Sequence, residues 1–180
     1  HADVAGLRVA YERAGGGAPL LLLHGYVSDG PGTWRHQIAG LSDEFTVVAW
    51  DAPGAGRSSD PPDSFRLPDY ADCLAAFVEA LGLGRVHLAG LSFGGALALE
   101  LSRRHPAVPA TLVLAGGYAG WAGSLPAAVA EQRLRQALEL ADGTGADADG
   151  LGEDVSVFRE DGTALHETRP SLPLEGEWTL

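Results

Sequence analysis

Ser92 stands in the run Gly90-Leu91-Ser92-Phe93-Gly94, between the apolar "RVHLA" (85–89) and the helix-patterned "FGGALALELSRRHP" (93–106). A hydroxyl presented at a sharp bend between strand and helix can attack an acyl carbon once a base takes its proton. Such a bend strains the serine backbone, and side chains two residues to either side would collide. Glycine at both places removes the collision. A helix starting there also aims free backbone N–H groups and the positive end of its dipole at the site. The five-residue pattern arises readily by chance in a chain with 25 glycines. Its position between an apolar strand and a helix gives it weight.

The elements that must hold this serine read as an α/β layered sheet. "LRVAYER" (7–13) alternates as one half-buried strand. "LLLLH" (20–24), "FTVVAW" (45–50), "RVHLA" (85–89) and "TLVLA" (111–115) predict strands buried on both faces. Between them, "PDYADCLAAFVEALGLG" places Tyr70, Leu74, Phe77, Val78 and Leu81 on one helical stripe, with Gly82 as the stop. "TWRHQIAGL" (33–41) and "LPAAVAEQRLRQALELA" (125–141) are further helices, the latter with a Glu131–Arg135 pair. "VSVFREDGTALHET" predicts a hairpin turning at Asp161–Gly162.

"WDAPGAGRSSD" (50–60) is a second glycine-rich turn after a strand. It is not a phosphate loop, since the chain has no lysine, and not a dinucleotide fingerprint, since Ser59 fills the third glycine position. Asp51 and Arg57 are read as shaping the loop beneath the pocket. "ADGTGADADGLGED" resembles a calcium loop only superficially: Gly145 takes the first ligand position and Ser156 the closing one. No metal site is expected.

The 180 residues suffice for a substantial core. All twelve basic residues are arginine, and the net charge of −12 argues against nucleic acid and anionic membranes. No apolar run nears the ~20 residues of a membrane span. No signal peptide is expected. A single cysteine, Cys73, excludes an internal disulfide and reads as a buried thiol; with these features it points to the cytoplasm. Residues 141–180 hold ten acids and two arginines, so the chain changes character near Ala141.

Together "LLLLHGY", "DAPGAGRSS", "GLSFGG" and "LVLAGGYAG", in this order, resemble the α/β-hydrolase superfamily, in particular its serine esterase-like members. The resemblance covers residues 1 to about 140. It implies an α/β fold with a mostly parallel sheet flanked by helices. Residues 1–117 would form an incomplete hydrolase core, 118–141 the start of a helical cap, and 142–180 an acidic tail. It implies a cofactor-independent serine hydrolase acting on a small-molecule carboxylic ester or related acyl bond. Ser92 would be the nucleophile. The backbone N–H groups of Tyr26 and Phe93 would form the oxyanion hole, one such donor being worth roughly 3 kcal/mol. His24, Gly25, Gly90 and Gly94 would support it. Serine at the elbow argues against the dehalogenase and epoxide-hydrolase branches, which use aspartate there.

In that family the chain order is Ser, then acid, then His. His24, His36, His87 and His105 occupy non-catalytic places in the matching part. Only His166 follows in order, without a strand–loop–Asp context before it, and Asp154 and Asp161 have no better warrant. The expectation is therefore a chain that stops inside the cap, before the strands carrying acid and base. Such a chain by itself would be inactive or very weak. "TLVLA" would then form an uncovered sheet edge inviting homo-oligomerisation, unless the 155–167 hairpin covers it. Tyr118 and Trp121 are candidate pocket walls. The alternative function is a non-catalytic small-molecule binding module that retains the hydrolase pocket.

Overall fold

Apolar runs in the first 116 residues become the strands of one sheet, and the helical patterns between them cover its two faces. The computed structural model describes residues 1–116 and, beyond them, 127–128, 131–132, 135, 155–158 and 164–167. Tyr118, Trp121, the turn at Asp161–Gly162 and the rest of the predicted cap and tail lie outside the described residues. The five described positions within the 125–141 helix are helical, and Arg135 reaches Glu131 at 3.9 Å.

The chain opens with β1 (Ala2–Val4) and β2 (Leu7–Val9), a small antiparallel pair. Ala5 and Gly6, both at positive φ, turn between them. Then follow β3 (Tyr11–Ala14), β4 (Ala18–Leu23), α1 (Gly30–Leu41), β5 (Phe45–Trp50), α2 (Leu67–Ala80), β6 (Val86–Leu91), α3 (Phe93–Arg104) and β7 (Pro109–Ala115). The single strand expected over 7–13 is thus two strands in two sheets. Asp51 N–H donates to the carbonyl of Ala10 at the break between them.

The large sheet has the order β3-β5-β4-β6-β7, continued by β8 (Val155–Phe158) and β9 (Ala164–Glu167). β5, β4, β6 and β7 run parallel, and β3 is antiparallel to β5. β8 pairs antiparallel with β7 at Leu114 and Ala115, along the edge expected to lie open, and β9 pairs antiparallel with β8.

Side-chain alternation divides the core. Leu20 and Leu22 of β4, with Val47 and Ala49 of β5, pack on Trp34 and Ile38 of α1. Leu21, Leu23, Val48 and Trp50 face the other way, onto Leu74, Phe77, Leu97 and Leu101 of α2 and α3. Both faces of β4 and β5 are covered, which is why their sequences read as apolar runs, interrupted in β5 by Thr46, whose hydroxyl donates to the Gly17 carbonyl at 3.0 Å. β7 departs from that expectation: only Leu114 is buried, and Val113 is 39% exposed. Among the described helices, α3 packs on β7 and α1 reaches β3, β4 and β5.

The chain leaves β4 for β5 on one side and returns to β6 on the other. In open α/β sheets, the crevice at the carboxyl ends of two such strands is where ligands bind. It is here the crevice between Leu23 and Leu91.

The start of α1 is fixed by close approach. A Cβ on Gly30 would overlap the Trp50 carbonyl oxygen and lie 3.0 Å from the Ala49 carbonyl carbon, both backbone atoms that cannot yield cheaply. Gly30→Ala is therefore expected to lower stability by about 1–3 kcal/mol. Gly40 in the same helix has open space around its Cβ position, so Gly40→Ala should raise stability by up to about 1 kcal/mol. Urea unfolding midpoints of the two variants check the opposite signs.

Candidate active site

β6 ends at Leu91, α3 begins at Phe93, and Ser92 makes the bend alone. Its φ is 51° and ψ −110°, and the only other non-glycine residue described at positive φ is Ala5. A serine in that region carries backbone strain of about 1–3 kcal/mol, held only where its surroundings over-determine it. The surroundings do so. A Cβ on Gly90 would overlap the Gly94 carbonyl and lie 2.7 Å from the Gly95 nitrogen. A Cβ on Gly94 would overlap the Leu23 carbonyl oxygen and lie 2.8 Å from that of His24. Ser92 N–H donates to the Ala115 carbonyl at 2.8 Å, anchoring the bend to β7.

The Ser92 hydroxyl caps none of the N–H groups of α3. Its carbonyl accepts from Gly95 at 2.9 Å and Ala96 at 3.1 Å. Among the described residues, neither the Phe93 nor the Tyr26 N–H has a hydrogen-bond acceptor. The loop after β4 lies against the bend: a Cβ on Gly25 would sit 3.7 Å from Ser92 Cβ, and the Tyr26 and Phe93 rings meet edge to face at 6.3 Å.

A cleft of about 380 Å³ opens there. Its walls are His24, Gly25, Tyr26 and Val27 after β4, Ala52–Ala55 after β5, Tyr70 of α2 and Phe93. Ser92 is not itself a wall; it sits beside Gly25 and next to Phe93, which are.

His24 is 3% exposed and serves the loop. Its Nδ1–H donates to the Gly25 carbonyl at 2.6 Å, and Nε2 accepts from Ala52 N–H at 2.9 Å, fixing the neutral tautomer. Burial holds its pKa below the ordinary 6.5, against the opposing pull of the Gly25 carbonyl and of Asp51 and Asp29. Asp51 is fully buried and equally committed. One oxygen accepts from Gly30 N–H at 3.1 Å, the other from Arg57 N–H at 3.0 Å and Nε at 3.3 Å. Ser58 and Ser59 tie the same loop to residues 8 and 10. The loop-shaping reading of Asp51 and Arg57 agrees with these bonds.

The other histidines are engaged elsewhere. Exposed His36 accepts from Arg35 at 3.1 Å, His87 meets Thr111 at 2.8 Å, and His105 pairs with Asp72 at 2.7 Å. His87 is five residues back along β6, roughly 16 Å from Ser92. His105 is thirteen residues on, at the far end of α3, roughly 20 Å away. His166 lies on β9, three strands from β6 and so about 14 Å across the sheet.

Two site features escaped the sequence reading. Asp29 caps α1, accepting from Gly32 N–H at 2.6 Å, so the helix begins at Gly30-Pro31 rather than Thr33. Tyr70, read as core, walls the cleft, its hydroxyl donating to the Pro53 carbonyl at 3.3 Å. The available signal was position: it sits at the N-terminal end of a helix following β5, hence at the carboxyl edge of the sheet.

Among the described residues, no group of acids, histidines or cysteine could hold a metal ion, and no helix is long and apolar enough to cross a membrane. Cys73 is buried, which pushes its thiol up to about 11.

A parallel sheet with a serine at such a bend defines a class, and comparison with known proteins names it. The chain belongs to the alpha/beta hydrolase fold family, whose model matches residues 18–146. It is 40% identical over 102 residues to the dihydrolipoyllysine-residue acetyltransferase component of an acetoin cleaving system from Cupriavidus necator, covering 56% of this chain and 27% of that one. To 2-hydroxymuconate semialdehyde hydrolase of a Pseudomonas species it is 36% identical over 118 residues, covering 62% and 41%. A thermophilic esterase from Thermogutta terrifontis superposes with a TM-score of 0.66 at 30% identity, covering 79% and 53%. The chain thus spans less than half the length of these curated relatives.

The state of His24 fixes a pH dependence. Its folded pKa lies below 6.5, so as pH falls through 6.5 the unfolded chain binds a proton that the folded chain refuses. Its contribution to stability is complete above 6.5 and declines as pH falls toward the folded value. Asp72, held at about 2 by hydrogen bonds from Arg104 and then His105, loses its contribution only between 3.8 and about 2, a separate window. Urea midpoints measured from about pH 7.5 to about pH 5 should decline, and His24→Gln should flatten the decline.

Proposed function

We propose that this chain carries the nucleophile half of a serine hydrolase cleaving a carboxylic ester or related acyl bond. The observation that carries the reading is Ser92 at positive φ between two close-packed glycines, with two N–H groups beside it that have no acceptor among the described residues. Ser92 Oγ attacks the acyl carbon, and the oxygen that becomes negative is held by the N–H groups of Tyr26 and Phe93. His24, Gly25, Gly90 and Gly94 keep those amides in place. Two relatives, a semialdehyde hydrolase and an esterase, support hydrolysis as the reaction type.

No histidine in residues 1–116 has the place or the free nitrogen to take the serine proton, so the general base comes from outside that region. Losing the base from such a triad costs on the order of 10⁴–10⁶ in kcat, leaving mainly oxyanion stabilisation. The same observation supports a second reading, a pocket that binds a small molecule without turning it over.

A fluorophosphonate probe separates them. Slow labelling of this chain at Ser92, lost in Ser92→Ala, is the expected result. Hydrolysis of p-nitrophenyl acetate should likewise fall to the buffer rate in that variant. Saturable binding of a small ester with no labelling of Ser92 would favour the binding module. Labelling unchanged by Ser92→Ala would end the nucleophile assignment.

A further inference from the structure

The cleft beside Ser92 has no charged side chain among its described walls. Its polar side chains are His24 and two tyrosines, and most of their polar atoms are spent. Both His24 nitrogens are bonded to backbone, and the Tyr70 hydroxyl is bonded to the Pro53 carbonyl. Tyr26 is 69% exposed and stands at the mouth.

What remains is aromatic and aliphatic surface. Phe93 is met edge-on by Tyr26 at 6.3 Å and 78°, and by Tyr70 at 5.6 Å and 86°. Tyr70 is fixed from behind as well, by Phe65 at 4.9 Å. A ring pinned by two aromatic neighbours and a hydroxyl bond is a rigid wall.

Such walls cannot replace the water around a charge, and burying one unpaired is strongly unfavourable. A flat apolar group gains both buried area and edge-to-face contact. A volume of about 380 Å³ lies near the small end of ligand sites. The Tyr26 and Phe93 amides can meet negative charge, and in the reading above they are taken by the reacting oxygen. Resting on that reading, we propose that the cleft receives an uncharged, apolar group of phenyl size from the substrate. Tyr70 is a specificity-determining residue that shapes its seat.

The test measures binding, not turnover, with the Ser92→Ala form of this chain and ligand-observed NMR. The probes are methyl phenylacetate and its para-carboxylate counterpart. The neutral ester should bind at least about tenfold more tightly. Tyr70→Ala should weaken the neutral ester about threefold or more, and Tyr70→Phe, which keeps the ring, should bind within about twofold of the parent. Equal affinity for the two probes, or no binding of the neutral ester, overturns the proposal whether or not the Tyr70 variants fold. A Tyr70→Ala variant with parental circular dichroism and unchanged affinity removes Tyr70 from it. Because no covalent step is involved, failure here leaves the Ser92 labelling result standing, and failure of labelling leaves this comparison readable.

Discussion

Backbone meets backbone where α3 starts, and the position of every group in the site follows from that contact. Gly94 lies against the carbonyls of Leu23 and His24 at the end of β4, and Gly90 lies against Gly94. With no side chain between them, the first turn of α3 is pressed onto the neighbouring strand end. Two consequences follow together: Ser92 is forced into a left-handed conformation, and the Phe93 amide is brought to the loop that carries Tyr26. Strain of about 1–3 kcal/mol at Ser92 is small beside the burial of Leu97, Leu101, Leu21 and Leu23, which clamp the same two elements together.

A second constraint holds the loops around that contact. Residues after β4 and β5 must leave the sheet without losing their backbone hydrogen bonds, and two buried side chains supply the partners. His24 bridges the Gly25 carbonyl and the Ala52 amide, joining the two loops directly. Asp51 gathers the amides of Gly30 and Arg57 and the Arg57 guanidinium, so its carboxylate sits at the N-terminus of α1. Removing either would leave buried donors unpaired, at about 1–3 kcal/mol each. Both residues look catalytic by type, and both are consumed by positioning.

Strands β4 and β5 were legible in the sequence because helices cover both of their faces, leaving Thr46 as the single polar position along the two runs. The bend at Ser92 was legible because two glycines and a change of period coincide there. The break at Ala10 was not: residues 7–13 alternate the same way on either side of it, and only the partner strand changes, from β1 to β5. Nor was the start of α1, since Gly-Pro-Gly carries loop propensity while the cause, contact of Gly30 with Trp50, is tertiary. Tyr70 shares its stripe with Leu74 and Phe77, so periodicity cannot tell a cleft wall from core. Burial of β7 on both faces failed for a related reason: propensity reports a strand, not what packs on it.

Around the cleft, the polar chemistry of the described residues is thus almost entirely backbone chemistry. Each histidine in residues 1–116 is tied to a structural partner or stands at an exposed end, and the buried carboxylate is saturated by donors. Beside Ser92, among the described residues, the Tyr26 and Phe93 amides and the Ser92 hydroxyl stand without a partner. In the proposed reading, this part of the fold supplies the preorganised electrostatics of acyl transfer, which needs no proton, and leaves proton transfer to groups elsewhere. The division is physically sensible. Amides locked by close-packed glycines do not reorganise as charge develops on an oxygen, so their stabilisation is fully available at the moment the charge appears.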